Sequence, residues 1–246
     1  MENILIFTSR VLAMQRMQDS LVHGYTHFTC GSLPIPRATK VITKFDINYQ
    51  VFGDRNLRAR RKRANLGNAN LILLKKDSMI HWWLFVTPPA GGDHAAHSLE
   101  KLRDSTLRDE RVQIDGFELV TLPKKGTEKT KLTWRMTQQK YQDWRMSIID
   151  TIRKGSAHAM HNMSYQLWTS PGFSGIRSQI GHLAALYNAE VKRASRKNAP
   201  ALPKCLPYVR RLPNQGITLL QLLAETKLRT NAAAPVQAEI AEADAA

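Results

Sequence analysis

The sequence has very little cysteine and no long apolar run. Cys30 and Cys205 are its two cysteines among 246 residues, and neither belongs to a C-x-x-C pair, so we expect neither a disulfide scaffold nor a zinc finger. No segment approaches the roughly 18 consecutive apolar residues of a membrane span. A short apolar stretch lies near Met1, but Glu2 occupies a position where a signal peptide carries basic residues. These absences predict a soluble, cytoplasmic protein without a membrane partner.

Acidic residues are scarce relative to basic ones. The chain has 36 Lys and Arg against 20 Asp and Glu, a net charge of +16. Residues 231–246 hold three of the acids and no base, so residues 1–230 carry +19. Such an excess predicts a polyanionic partner, most often nucleic acid. Because the terminal segment has no core-forming period, we expect a disordered acidic tail that offers a contact to protein partners.

Two glycine-rich signatures of nucleotide chemistry are missing, G-x-x-x-x-G-K-S/T and G-x-G-x-x-G. A nicking enzyme would need two strand histidines separated by one apolar residue to hold its metal, whereas His81 stands alone. We therefore expect no cofactor and favour a non-enzymatic role.

The densest basic segment places six bases in nine residues. Its bases are Arg55, Arg58, Arg60, Arg61, Lys62 and Arg63. We expect a helix over residues 56–65 that is stopped by Gly67. Six bases at this density cannot all lie on one face of the helix. Several guanidinium groups must then project into solvent, where they match phosphate geometry. The alternatives are a solubilising charged helix and a helix that binds an anionic lipid surface.

Further candidate contacts to nucleic acid are spread over the chain. Lys124, Lys125, Lys131 and Arg135 lie on a predicted hairpin, and Arg193 and Arg196 close a predicted long helix. Near the start of that helix, Arg177 and Gln179 resemble the base-reading residues of a helix-turn-helix. Trp82 and Trp83 are possible stacking platforms for bases, although packing in the core is the commoner fate of tryptophan.

Paired histidines raise the alternative of a metal site. His94 and His97 are three residues apart, which brings both rings to one side of a helix. The pair lacks the adjacent glutamate of H-E-x-x-H, and helix-start or exposed imidazoles are more common, so we predict no metal and keep His94 and His97 as weak candidates.

The order of apolar and turn segments predicts an α+β fold. We expect a four- to five-stranded, mainly antiparallel sheet with packed helices, followed by a C-terminal helical region and the tail. The predicted parts are a sheet domain with the basic helix over residues 1–136, a helical region over 137–229, and the tail over 230–246.

The function predicted from these features is nucleic-acid binding, to DNA more than to RNA, in an accessory role in replication, transfer or processing, for instance on a plasmid or mobile element. One alternative is a metal-dependent nuclease or nicking enzyme that uses His94, His97 and a carboxylate. A second alternative is a protein-interaction component of a nucleoprotein assembly.

Overall fold

The computed structural model describes residues 4–124 and 126–226, and it confirms the α+β class. The first of two compact units runs to Thr106 and resumes at Leu212, and the second spans Leu107–Arg211. This boundary differs from the one predicted after residue 136. The predicted tail and Lys125 lie outside the described residues. No helix among the described residues is long and apolar enough to cross a membrane.

The first unit is built on an antiparallel sheet of four strands. Its elements are β1 (Leu5–Ile6), α1 (Arg10–Val22), β2 (His27–Pro34), α2 (Ala38–Tyr49), α3 (Arg55–Arg63), β3 (Ala69–Lys76), β4 (Met79–Val86), α4 (Ala96–Leu99) and β5 (Arg103–Asp104). The strand order is β3-β4-β2-β5, and residues 217–218 return from beyond the second unit to pair with β1. Residues 219–226 are also helical, as the sequence predicts for this segment.

The central strand β4 is apolar on both faces because helices cover both sides of this sheet. On one face, α2 packs Ile42 and Phe45 against Leu84 in the main apolar core. On the other face, α1 lies against β3, where Asn70 Nδ2 donates to Ser20 Oγ over 2.9 Å. The order of segments predicts helices on one side of the sheet, whereas they lie on both, and the continuous apolar run of β4 is explained by its double burial.

The apolar spacing of Ala95, Leu99 and Leu102 after a possible cap at Asp93 predicts a helix to about Arg108, and this prediction is wrong. The described structure has the single-turn α4 and then β5, an edge strand that pairs with β2. Arg103 lies over the Phe28 ring at 4.4 Å and donates to Cys30 Sγ over 2.8 Å. These contacts with β2 hold the segment extended, so tertiary pairing overrides its helical spacing.

The second unit combines a three-stranded sheet with three helices. Its elements are β6 (Gln113–Ile114), β7 (Phe117–Pro123), β8 (Thr130–Met136), α5 (Gln138–Lys154), α6 (Ala157–Trp168) and α7 (Ser174–Arg193), and β9 (Ile217–Thr218) follows it in the first unit. The strand order is β6-β7-β8, so the strands that were predicted as one sheet within residues 1–136 are divided between the two units.

The sequence predicts a helix that is capped by Thr137 and ends at Gly155, and the structure confirms both ends. Thr137 Oγ1 accepts a hydrogen bond from Lys140 N–H at the start of α5, and Gly155 ends the helix in the left-handed conformation. On α7, Ile176, Ile180, Leu183 and Tyr187 form the buried stripe that their spacing predicts. Burial raises the pKa of the Tyr187 phenol, whose hydroxyl donates to Pro200 O.

The alternation of β8 predicts one buried face and one cationic face that carries Lys131, Thr133 and Arg135, but this second face is largely covered. Thr133 is buried, and its Oγ1 accepts hydrogen bonds from Ser174 Oγ–H and Gly175 N–H at the start of α7. Arg135 is half-buried and donates from Nε to Glu118 Oε1 over 2.7 Å. The first turn of α7 therefore occupies the position where the alternation of β8 predicted an open basic surface.

Candidate nucleic-acid interface

Helix α3 forms where the sequence predicts it, because its composition and its ends both favour a helix. Asp54 caps it, with Oδ1 accepting a hydrogen bond from Leu57 N–H over 2.6 Å. The last turn closes by hydrogen bonds from Asn65 N–H to Lys62 O and from Leu66 N–H to Arg61 O. Asn65, with φ of +52°, takes the left-handed position that the sequence assigned to Gly67.

Two of the six bases fasten α3 to the loops beneath it. Arg61 donates from Nε to Gly67 O and from Nη1 to Gln50 Oε1, each over 2.9 Å. Arg58 donates from Nη2 to Val51 O over 3.2 Å. These contacts fix the helix although none of its residues is buried.

The other four bases point into solvent. Arg55, Arg60, Lys62 and Arg63 are exposed. Within the described part of the chain, none of the six α3 bases forms an ion pair. Helical spacing places Arg60 and Arg63 on the outer face, one turn apart, and Arg55 and Lys62 on the flank beside Arg58. The structure therefore holds a cluster of uncompensated positive charge on one short helix.

His94, one of the two weak metal candidates, supports the loops under α3. Ala96 N–H donates to its Nδ1 over 3.1 Å, and its Nε2 lies 3.3 Å from Tyr49 O. An acceptor at Nδ1 and a donor at Nε2 define the neutral imidazole. Burial, together with the nearby Arg61 charge, lowers the pKa of His94, which also favours this neutral form.

His97 makes a similar structural contact, with Nε2 lying 2.9 Å from Thr87 O. The residues that the structure describes contain no group of three or more His, Cys, Asp or Glu side chains placed to hold a metal ion. Both ring nitrogens of His94 are engaged by backbone groups. In this arrangement His94 and His97 stabilise the first unit, and His94 has no free nitrogen for a ligand role.

Acidification should destabilise the protein through His94. The unfolded chain binds a proton on this imidazole near its ordinary pKa of 6.5, whereas the folded chain resists protonation to a lower pH. The contribution of His94 to the free energy of unfolding is therefore fully present above about pH 6.5. Below that pH it decreases, by at most about 1.4 kcal/mol per pH unit. Urea unfolding between pH 7.5 and 5.5 measures this slope. His94→Asn should flatten it, whereas His182→Asn, which alters an exposed imidazole on α7, should retain it. An unchanged slope in His94→Asn would contradict this assignment.

Most candidate bases of the second unit are held by partners within that unit. Arg135 pairs with Glu118, and Arg193 pairs with Glu190. Arg196 donates from Nε to Ile152 O over 2.9 Å, and from Nη2 to Arg153 O, at the end of α5. Lys124 and Lys131 are exposed on the β7-β8 hairpin.

The two predicted base readers of α7 also make internal contacts. Arg177 donates from Nε to Leu206 O over 2.6 Å, and its guanidinium stacks on the Tyr208 ring at 3.5 Å. Gln179 accepts from Met136 N–H over 2.6 Å and donates to Met136 O over 3.1 Å, so its amide continues the hydrogen bonding of β8. Both side chains therefore stabilise the second unit in this arrangement.

The adjacent tryptophans lie on opposite faces of β4, as strand alternation predicts. Trp83 is 5% exposed, and no open ring face is left for a base to stack on. Trp82 is half-buried and meets Phe45 edge-on at 5.0 Å between ring centroids. Both rings therefore pack against other side chains, which is the alternative to base stacking that the sequence also allowed.

Sequence reasoning did not single out several residues around α3. Ser20 and Tyr25, from the end of α1, and Asn70, from β3, line a cleft of about 610 Å³ next to Arg58 and Lys62. Ser20 lies 42 positions before Lys62 in the chain, and no local pattern joins the residues of this cleft. No family model, curated protein or solved structure matches this chain.

Proposed function

We propose that this chain is a non-enzymatic nucleic-acid-binding protein that binds DNA in preference to RNA. Its role would be an accessory one in the replication, transfer or processing of DNA, as on a plasmid or mobile element. The observation that carries the proposal is α3, which presents four exposed bases and has no acidic partner among the described residues. A cytoplasmic location fits the two exposed, free thiols of Cys30 and Cys205.

The dimensions of α3 suit a nucleic-acid backbone. At 1.5 Å per residue, the helix is about 13 Å long, which is on the order of four phosphate spacings along one strand of DNA. Guanidinium groups bind phosphate oxygens through two parallel hydrogen bonds, and three of the four exposed bases are arginines. The helix therefore offers several phosphate contacts along one short path.

The anchoring of α3 also favours binding. Arg58 and Arg61 hold the helix against Val51 and Gly67, so its backbone is already ordered before a partner arrives. The exposed basic side chains of α3 form no ion pair within the described structure, so none has to be broken when they bind phosphate. Binding therefore avoids two common costs, ordering of a segment and loss of internal ion pairs.

A salt series tests this function directly. We expect the full-length protein to bind labelled duplex DNA in 50 mM salt, with an affinity that decreases as salt increases. If the four exposed α3 bases each neutralise one phosphate, the log–log slope should be about −3.6 or steeper on duplex DNA. Fluorescence anisotropy with duplex DNA, single-stranded DNA and RNA of the same sequence measures the slope and the preference. Absence of binding to all three at 50 mM salt would overturn the proposal.

A further inference from the structure

The cleft beside α3 is a second binding feature of the first unit. It lies where the end of α1, one flank of α3, the start of β3 and the segment after β4 meet, and its volume is about 610 Å³. This volume lies within the range of small-ligand sites, roughly 300–1,000 Å³. The outer face of α3, with Arg60 and Arg63, does not line it.

Positive charge dominates one wall of the cleft. Lys62 is exposed and has no partner among the described residues, and Arg58 keeps a buried Nε that makes no hydrogen bond. Arg16 also lines the cleft, where it pairs with the one acid of the lining, Asp19, over 3.1 Å. Lys62 and Arg58 therefore remain without a compensating acid, and the cleft favours an anionic ligand.

The lining of the cleft also includes an aromatic side chain, Tyr25. Helix α1 ends with hydrogen bonds from Gly24 N–H to Leu21 O and from Tyr25 N–H to Ser20 O, the pair that defines a Schellman motif. Gly24 occupies its left-handed position, with φ of +88°, and contributes no side chain to the cleft. This helix end therefore turns the chain so that Tyr25 lines the cleft.

The polar residues of the lining are already ordered by hydrogen bonds. Asn70 Nδ2 donates to Ser20 Oγ over 2.9 Å, and Asn68 Nδ2 donates to Arg58 O over 3.3 Å. The cleft thus joins three kinds of group that a nucleotide requires, which are cations for the phosphate, an aromatic ring for the base and polar groups beside them.

We propose that this cleft receives one unpaired nucleotide of the nucleic acid bound along α3, with its phosphate at Lys62 and Arg58 and its base against the Tyr25 ring. The inference rests on the proposed function and adds a preference for single-stranded segments. A base in a closed duplex must first leave its stack to enter the cleft, at a cost of a few kcal/mol, whereas a single strand has little to lose.

Removal of the Tyr25 ring tests the cleft. We expect Tyr25→Ala to weaken binding of a single-stranded 12-mer about 10-fold, because stacking on an aromatic ring contributes about 1–3 kcal/mol per base. Affinity for the corresponding blunt duplex should change less than twofold. Tyr25→Phe keeps the ring and should keep the wild-type affinity. The matched control is Tyr165→Ala, which removes an exposed tyrosine of α6 in the second unit.

Lys62→Ala supplies a second variant that does not depend on Tyr25. It should weaken binding of the single strand more than binding of the duplex. Equal losses on both substrates in Tyr25→Ala and Lys62→Ala, or no loss in either, would overturn the cleft assignment. That result differs from failure of the proposed function, in which the wild-type protein binds none of the nucleic acids.

Discussion

Replacement of Arg60 and Arg63 by glutamate should weaken binding of duplex DNA about 100-fold at 100 mM salt. Each replaced arginine removes a charge-assisted hydrogen bond to phosphate, which contributes on the order of 1.4 kcal/mol or more, and each glutamate adds repulsion. The log–log salt slope should also become shallower by about 1.8, because two phosphate contacts are lost. Fluorescence anisotropy over a salt series measures both quantities.

These two arginines are suitable targets because they are exposed and make no side-chain contact among those described for the chain, unlike Arg58 and Arg61. The matched control is Lys40→Glu with Lys44→Glu, which makes the same change in net charge on two exposed lysines one turn apart on α2. We expect the control to lose less than fivefold in affinity. If both variants lose affinity equally, the effect arises from net charge and α3 is not the interface.

The same substitution at two glycines of α7 should have opposite effects on stability. A Cβ atom at Gly175 would lie 2.5 Å from Trp134 O, a backbone atom of β8, so Gly175→Ala should force α7 away from the sheet. We expect the free energy of unfolding to decrease by about 3 kcal/mol, as in other overpacked sites. A Cβ atom at Gly181 meets nothing within 4 Å, and Gly181→Ala should raise the free energy of unfolding by up to about 1 kcal/mol.

Urea unfolding of the full-length variants, followed by circular dichroism, measures both changes. The Gly181 variant is the internal control, because it carries the same added methyl group on the same helix. A neutral Gly175→Ala would contradict the close contact between α7 and β8, and destabilisation by Gly181→Ala would contradict the open space at Gly181. The test also bears on Gln179 and Thr133, whose hydrogen bonds join the same two elements.

Local signals in the sequence were sufficient for much of the helix and strand assignment. The cap at Thr137 and the stop at Gly155 indicated both ends of α5. The turn between the two apolar strands β3 and β4 was predicted at residues 75–78, and the structure has it at residues 77–78. The helical spacing after Asp93 failed because pairing of β5 with β2 is a long-range contact. Hairpin β7-β8 was predicted, but the sequence did not show that it belongs to a sheet of its own, in which β8 packs against α7.

The sequence by itself determined the α+β class, the positions of most helices and the concentration of positive charge at residues 55–63. These properties follow from capping, periodicity and composition, which act over a few neighbouring residues. Only the tertiary structure decided which bases are available. Arg135, Arg177 and Arg196 look equivalent to Arg60 in the sequence, yet each meets an acceptor from another segment of the chain. The cleft at Tyr25 likewise exists only where four separate segments converge. The physical reason is that hydrogen-bond partners and cavities are set by side chains brought together from far along the chain.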